Sequence, residues 1–206
     1  LVDIIKTKKK TNHFIYFSGI GISSMSASNR SKAIHLSEQY IEKNLKNATI
    51  VKPGIILGGE DNFLKRLMPL IKISFFIPLF GTGNGKFQPV FIDDVSLAIS
   101  KIIEFPMAGL NVFEFVGNQI FTYKEFYNYL AFCMKKTRVF VPLPFSICKF
   151  GISILEKTPF SPLSSEQLNL FESDNIASKK YKNLEILGIK PQDLKEIIKK
   201  IVIKNL

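Results

Sequence analysis

Residues 49–63 read TIVKPGIILGGEDNF, and no other stretch limits the fold of this chain so much. Ile50 and Val51 begin a buried strand, and after Lys52 the chain turns at Pro53-Gly54. Proline presets φ for a turn and glycine accepts the left-handed conformation that some turns need. A second apolar burst, Ile55-Ile56-Leu57, stops at Gly58-Gly59 and an acidic patch, Glu60-Asp61-Asn62, ahead of a helical pattern. An apolar strand delivered into a Gly-rich turn at the head of a helix is where open α/β sheets place ligands. The same letters also describe an ordinary strand–loop–helix junction, and this stretch alone does not separate the two.

The flanking chain alternates in the same way. Residues 1–10 carry apolar positions 1, 2, 4 and 5 and end in lysines, which suit a helix C-terminus. HFIYF at 13–17 is a continuous apolar run and predicts a parallel strand buried on both faces, closed by Ser18-Gly19. A Ser/Gly loop follows, then a helix over 29–45 whose apolar stripe is Ala33, Leu36, Tyr40, Ile41 and Leu45. A helix over 63–74 places Phe63, Leu64, Leu67, Leu70 and Ile71 on one side, and the apolar burst 75–80 ends in GTGNG. FQPVFI at 87–92 predicts a short strand made irregular by Pro89. Asp93-Asp94 opens a helix to Glu104, and this pair reads as helix capping in preference to catalysis. NVFEFV at 111–116 alternates as a strand, and Thr122 with Glu125 forms a capping box for a helix ending near Met134. A last strand falls at 137–141. Helical segments follow at 142–155 and 164–171, a short apolar stretch at 184–188, and a final helix with Pro191 in its first turn.

Strands alternating with helices define an α/β class with a mostly parallel sheet. The expected organisation is a sheet-bearing portion over residues 1–141 and a small, mainly helical lobe over 142–206.

A formal net charge of +11 would suit a nucleic-acid binder, a protein near an anionic membrane, or a lysine-rich surface. The lysines are scattered, with dense runs only at 6–10, 179–182 and 195–204, so nucleic acid is not an expected partner. Cys133 and Cys148 both sit among apolar residues, which points to reduced thiols and no disulfide framework. With only His13 and His35 besides, no zinc-type ligand set can be assembled, and no metal is expected. His13 marks a strand start and His35 a helix surface. A bilayer span needs about 20 consecutive apolar residues. The apolar stretches 70–80 and 139–155 are broken by Lys72 and Pro78, and by two prolines and Lys149, so neither predicts a transmembrane segment. The chain opens on Leu1 inside a helical pattern and reads as the C-terminal part of a longer protein.

With the elements placed, FIYFSGIG, SNRSKA, VKPGIILGGEDNF, FQPVFIDDV, VFEFVG with TYKEF, VPLPF and PLSSEQLNLFESDN occur in an informative order. Together they resemble the C-terminal two-thirds of an atypical, extended short-chain dehydrogenase/reductase of the epimerase/dehydratase type. Within that superfamily the chain is most similar to relatives of the nucleotide-binding accessory subunit of respiratory complex I. The resemblance implies the C-terminal part of a doubly wound, Rossmann-like sheet. It also implies NAD or NADP(H) as cofactor, bound only with a missing N-terminal part that carries the Gly-rich phosphate loop. GTGNG at 81–85 is not that loop, since it follows the wrong strand and heads no helix.

The resemblance also assigns roles to individual residues. Ser18, at the end of a strand, falls where such enzymes place a hydroxyl near the nicotinamide, although plain strand termination explains it equally well. Pro53, Gly54, Ile55 and Ile56 fall on the loop whose backbone lines the nicotinamide side of the cofactor. The usual catalytic pair is a Tyr and a Lys four residues apart on one helix face. The Lys holds the cofactor ribose and lowers the Tyr pKa, so that the phenol can pass a proton. Lys32 fits the Lys, with a solvent-facing helix lysine as the alternative, but Ser28 stands in the Tyr position. Ser18 and Ser28 are thus the candidate catalytic residues, both weak ones.

The implied function is an NAD(P)(H)-binding protein with a structural or assembly role related to a respiratory NADH dehydrogenase. It would be peripheral on the inner face of a respiratory membrane, or cytoplasmic. The alternative is an active NAD(P)-dependent reductase or epimerase acting on a small carbonyl or nucleotide-linked substrate. The net charge, together with the Pro- and Phe-rich stretch 139–155, would also suit a docking face on a membrane complex.

Overall fold

The computed structural model describes residues 1–8, 13–24, 28–155, 168 and 171–204. At its centre the apolar runs form three parallel strands. β1 (Phe14–Phe17) pairs with β2 (Ala48–Pro53), and β2 pairs with β7 (Leu110–Phe115), in the order β1-β2-β7. β2 is central, and its side chains are buried from Ala48 through Lys52. β1 lies at the edge of this three-stranded sheet and is only partly covered, with Phe17 49% exposed. The two-faced burial expected from HFIYF is therefore not found among the described residues, because β1 has a strand neighbour on one side only.

Helices cover both faces. α1 (Val2–Lys8) and α2 (Asn29–Asn44) lie on one side, where Ile41 and Leu45 pack with Ile50. On the other side α4 (Ile92–Glu104) sets Val95, Ala98 and Ile102 against Val51, Phe113 and Phe115. This two-sided cover is why β2 reads as an unbroken apolar run.

The expected stripe of α2 differs from the buried one. Leu36 and Tyr40 are exposed, while Ser31, Glu38 and Ile41 are buried. Tyr40 instead uses its phenol on the surface, donating to Asp3 Oδ1 at 2.6 Å. A helix periodicity that scores Glu as solvent-facing cannot find this register, because Glu38 goes inward for an ionic partner.

Outside the central sheet the strands are short. β3 (Ile56–Leu57) pairs in parallel with β6 (Val90–Phe91), and β5 (Lys86–Phe87) pairs antiparallel with β8 (Phe121–Thr122). Pro89 separates β5 from β6, as its missing N–H requires. β4 (Phe76–Phe80) pairs in parallel with β9 (Val139–Leu143), so the strand expected at 137–141 starts and ends two residues later. α3 (Asn62–Ile73) buries Leu64, Leu67, Met68 and Ile71. Its N-cap is Asp61, whose carboxylate accepts from Leu64 N–H at 2.7 Å and from Gly58 N–H at 3.0 Å. α5 (Tyr123–Cys133) starts with the expected capping box: Thr122 Oγ1 accepts from Glu125 N–H and the Glu125 carboxylate accepts from Thr122 N–H.

α6 (Phe145–Leu155) follows β9 directly. The expected helix at 164–171 lies outside the described residues, apart from Leu168 and Phe171. A 3₁₀ turn at Leu184–Leu187 precedes the last helix, α7 (Leu194–Lys204). Pro191 lies in the lead-in rather than in the first turn, and Asp193 supplies the cap by accepting from Lys195 N–H at 2.9 Å. Leu194, Ile198 and Val202 of α7 share one hydrophobic cluster with Leu57 and Leu64. Of the Asp93-Asp94 pair, Asp94 is buried and accepts from Gln192 N–H at 3.0 Å and from Gln192 Nε2 at 3.2 Å, tying α4 to this lead-in.

Candidate functional site

The loops after β1, β2 and β7 meet at the carboxyl edge of the central sheet. Ser18 N–H donates to Val51 O at 2.8 Å, Ile20 N–H to Pro53 O at 3.1 Å and Gly54 N–H to Phe115 O at 2.9 Å. Val90 N–H donates to Ile55 O at 2.9 Å. The turn after β2 is thereby fixed from both sides. Gly54 is required there: a Cβ at this position would stand 2.1 Å from Gln88 O. After five buried residues in β2, positions 53 to 56 are all half-buried. Pro53, Gly54, Ile55 and Ile56 thus form a rigid, partly accessible wall at the end of the sheet.

Ser18 stands beside this wall but its hydroxyl is already engaged, donating to Glu38 Oε1. Glu38 comes from the third turn of α2, and its other oxygen accepts from Lys52 Nζ at 2.8 Å. Both charges are buried, Glu38 at 4% and Lys52 at 9% exposure. The Lys52 ammonium also lies 5.3 Å from the centre of the Tyr181 ring, within cation–π range. His35 Nδ1, 3.8 Å from the same carboxylate, is buried and has no hydrogen-bond partner. His35 is half-buried: its Nδ1 faces the carboxylate while the side chain keeps part of its surface in solvent. Glu38 thus satisfies a serine and a lysine from two adjacent strands, and a buried pair of this kind survives only with such added hydrogen bonds.

Ser28 and Lys32 share the first turn of α2. Ser28 has extended backbone and is the N-cap; its Oγ accepts from Ser31 N–H at 3.2 Å. Lys32 is exposed, and its N–H donates to Ser28 O at 3.1 Å. Neither Tyr16 nor Tyr40 supplies a phenol that could act beside Lys32. Tyr16 packs with the cluster under α2, and the hydrogen bond to Asp3 raises the pKa of Tyr40. Burial likewise pushes up the phenols of Tyr123 and Tyr127, which belong to the large core cluster. Among the described residues no group of three or more His, Cys, Asp or Glu is placed to hold a metal ion. Both cysteines are free thiols, Cys148 buried and Cys133 half-buried.

Sequence reasoning had not picked out Glu38, Lys52 or Tyr181. A signal existed for one of them: Lys52 is the sole charged residue in a strand otherwise reading as core.

A parallel sheet covered by helices on both faces, with loops converging at its carboxyl edge, is a Rossmann-like arrangement. Solved structures agree on that fold. The UDP-glucose 4-epimerase of Thermus thermophilus in complex with NAD matches with a TM-score of 0.62 at 14% identity, over 98% of this chain and 66% of that one. A human epimerase family protein with NADPH matches with a TM-score of 0.71 at 13% identity, over 100% of this chain and 72% of that one. The Citrobacter triphenylmethane reductase matches with 0.71 at 18%, over 98% and 68%. No protein-family model matches the chain.

In sequence the chain is similar to subunits of mitochondrial NADH dehydrogenase. It is 30% identical over 193 residues to the Arabidopsis thaliana NADH dehydrogenase [ubiquinone] 1 alpha subcomplex subunit 9, a match spanning 88% of this chain and 48% of that protein. The Dictyostelium discoideum protein of the same name is 31% identical over 123 residues, 60% of this chain and 34% of that one. The 40 kDa subunit of NADH-ubiquinone oxidoreductase from Neurospora crassa is 27% identical over 161 residues, 76% and 41%. The chain thus spans about half the length, or less, of the curated relatives it matches.

Proposed function

We propose that the intact protein holds NAD(P)(H) and serves a structural or assembly role in a respiratory NADH dehydrogenase, without the proton transfer of the usual Tyr–Lys pair. The observation that carries this reading is the N-cap of α2. The position four residues before Lys32 is a serine whose Oγ accepts from the helix backbone. An aliphatic hydroxyl in that place lacks the acidity of a phenol, so it is a poor proton donor beside Lys32. The other candidate hydroxyl, Ser18, is committed to the buried Glu38.

The binding half of the site fares differently. Pro53, Gly54, Ile55 and Ile56 would pack one side of the nicotinamide, and Lys32, exposed at the head of α2, would reach the ribose hydroxyls. When bound, the nicotinamide would supply hydride chemistry. This chain's residues contribute shape and a cation, and no acid. A Gly-rich phosphate loop is not among the 206 residues. In this reading the pyrophosphate is therefore held by a further portion of the intact protein, and the cofactor binds only when both are present. The names of the sequence relatives, mitochondrial NADH dehydrogenase subunits, support a respiratory partner, and in this reading the protein is peripheral on the inner face of its membrane.

The test is to tag the intact protein, isolate it from its own cells, and measure NAD(P)H binding by fluorescence enhancement. The expected result is co-purification of respiratory NADH dehydrogenase subunits together with saturable binding of the reduced nucleotide. A protein that purifies alone and steadily reduces small carbonyl compounds would instead be an active reductase, and the proposal would be wrong.

A further inference from the structure

The β4–β9 ribbon presents an apolar face to solvent. Phe76 is paired in register with Val139, and Pro78 with Val141, so these four side chains share one side while Ile77 and Leu79 turn into the core. On the outer side Phe76 is 63% exposed, Val139 41% and Val141 36%, and the adjoining Ile73 and Phe75 are 83% and 53% exposed. Phe75 and Phe76 stand edge to face with ring centres 5.2 Å apart. Arg138 staples the two segments, donating from Nε to Ile71 O at 2.6 Å and from Nη2 to Lys72 O at 3.1 Å, so the face is built on fixed backbone. A contiguous exposed group of large apolar side chains on rigid elements marks an interaction surface.

The segments that supply this face carry charges of one sign. Residues 62–92 and 126–155, which supply this face, contain no Asp or Glu at all. Lys72, next to Ile73, and Lys135 and Lys136, in the lead-in to β9, are exposed, and among the described residues none of the three forms an ion pair. Acids from elsewhere in the chain reach these segments at Lys149, which pairs with Glu172 at 2.7 Å, and at Lys65, which pairs with Glu60. Apolar side chains that enter the headgroup boundary, ringed by lysines that remain in water, match a uniformly anionic phospholipid surface. Among the described residues no helix is long and apolar enough to cross a membrane, so the contact lies on the surface of the bilayer.

We infer that the outer face of β4–β9, with Ile73, Phe75, Phe76, Val139 and Val141 as its apolar centre and Lys72, Lys135 and Lys136 as its rim, docks the protein on anionic phospholipid. This surface is separate from the proposed nucleotide wall and does not depend on it. The test is flotation of the purified intact protein with phosphatidylcholine vesicles, with and without phosphatidylglycerol, at low and at raised salt. The protein should float with the mixed vesicles only, and added salt should release it. Lys72→Gln/Lys136→Gln should weaken binding about thirtyfold, from about a fivefold step per lysine at an anionic surface. Ile73→Ser/Phe76→Ser should weaken it at least tenfold. Both exchanges are on exposed side chains, and unchanged circular dichroism and NAD(P)H binding would show that the fold is intact. Equal binding to neutral vesicles, no binding to either, or wild-type binding by both variants would overturn the inference. So would variants that keep vesicle binding but lose a detergent-solubilised respiratory complex, since the face would then dock protein.

Discussion

Replacing Glu38 tests whether the polar cluster at the end of the sheet is as tightly coupled as its geometry implies. Glu38→Leu leaves the Lys52 ammonium without a counter-ion in a position where only 11% of its side chain is exposed. It also removes the acceptor of the Ser18 hydroxyl. Breaking a buried ion pair from one side costs about 3–5 kcal/mol. The lower end applies here, because the contact of Lys52 with the Tyr181 ring survives the change. The reciprocal Lys52→Met leaves the carboxylate with only the Ser18 hydroxyl and His35 beside it, and should cost about 3 kcal/mol as well. The double variant removes both charges and should be no less stable than either single one, giving a coupling of at least about 3 kcal/mol. Urea unfolding is a suitable assay. With a slope of about 2 kcal/mol per molar, a loss of about 3 kcal/mol moves the midpoint by about 1.5 M. Losses under about 1 kcal/mol for both single variants, or strict additivity in the double, would refute the assignment of these charges to one buried cluster.

Other outcomes follow from the same geometry. Gly54→Ala drives a methyl group to 2.1 Å from Gln88 O, so it should destabilise the protein by about 3 kcal/mol and weaken NAD(P)H binding; a melting curve matching wild type would contradict the clamp. Asp94→Ala removes the acceptor of two Gln192 donors and should cost about 2 kcal/mol, with faster amide exchange confined to residues 184–204. Burial holds the His13 imidazole below its ordinary value, so the unfolded chain binds the proton more readily than the folded one. Its contribution to stability is therefore complete above about pH 6.5 and is lost as the pH falls from there toward the folded value. His13→Asn should flatten the stability profile across that interval, and an unchanged slope would assign the acid sensitivity elsewhere.

The elements legible in the sequence are those set by local rules. The turn at Pro53-Gly54, the capping box at Thr122 and Glu125, and the break at Pro89 depend on backbone conformation and nearby donors, which short strings of letters encode. The parallel sheet followed from apolar runs such as TIV and FIYF, and the epimerase-like resemblance from motifs in order. What stayed hidden depends on distant partners. Glu38 and Lys52 are 14 residues apart and read as two polar residues until the helix packs on the strand. Asp94 reads as an ordinary helix-start acid, yet it serves a segment 98 residues away. Pro191 misleads in the opposite direction: proline is favoured in a first helical turn, but Asp193 supplies the cap and the helix begins later.

The central claim separates holding a nicotinamide nucleotide from using it, and one measurement addresses both at once. The intact protein is loaded with reduced nucleotide until fluorescence shows the site occupied, then mixed with a panel of aldehydes, ketones and nucleotide-linked sugars while absorbance at the reduced nicotinamide band is followed. The expected result is a saturated site whose absorbance does not decay faster than in buffer, because an aliphatic hydroxyl stands in the Tyr position at Ser28 and the Ser18 hydroxyl is held by Glu38. Multiple-turnover loss of that absorbance with any member of the panel would contradict it.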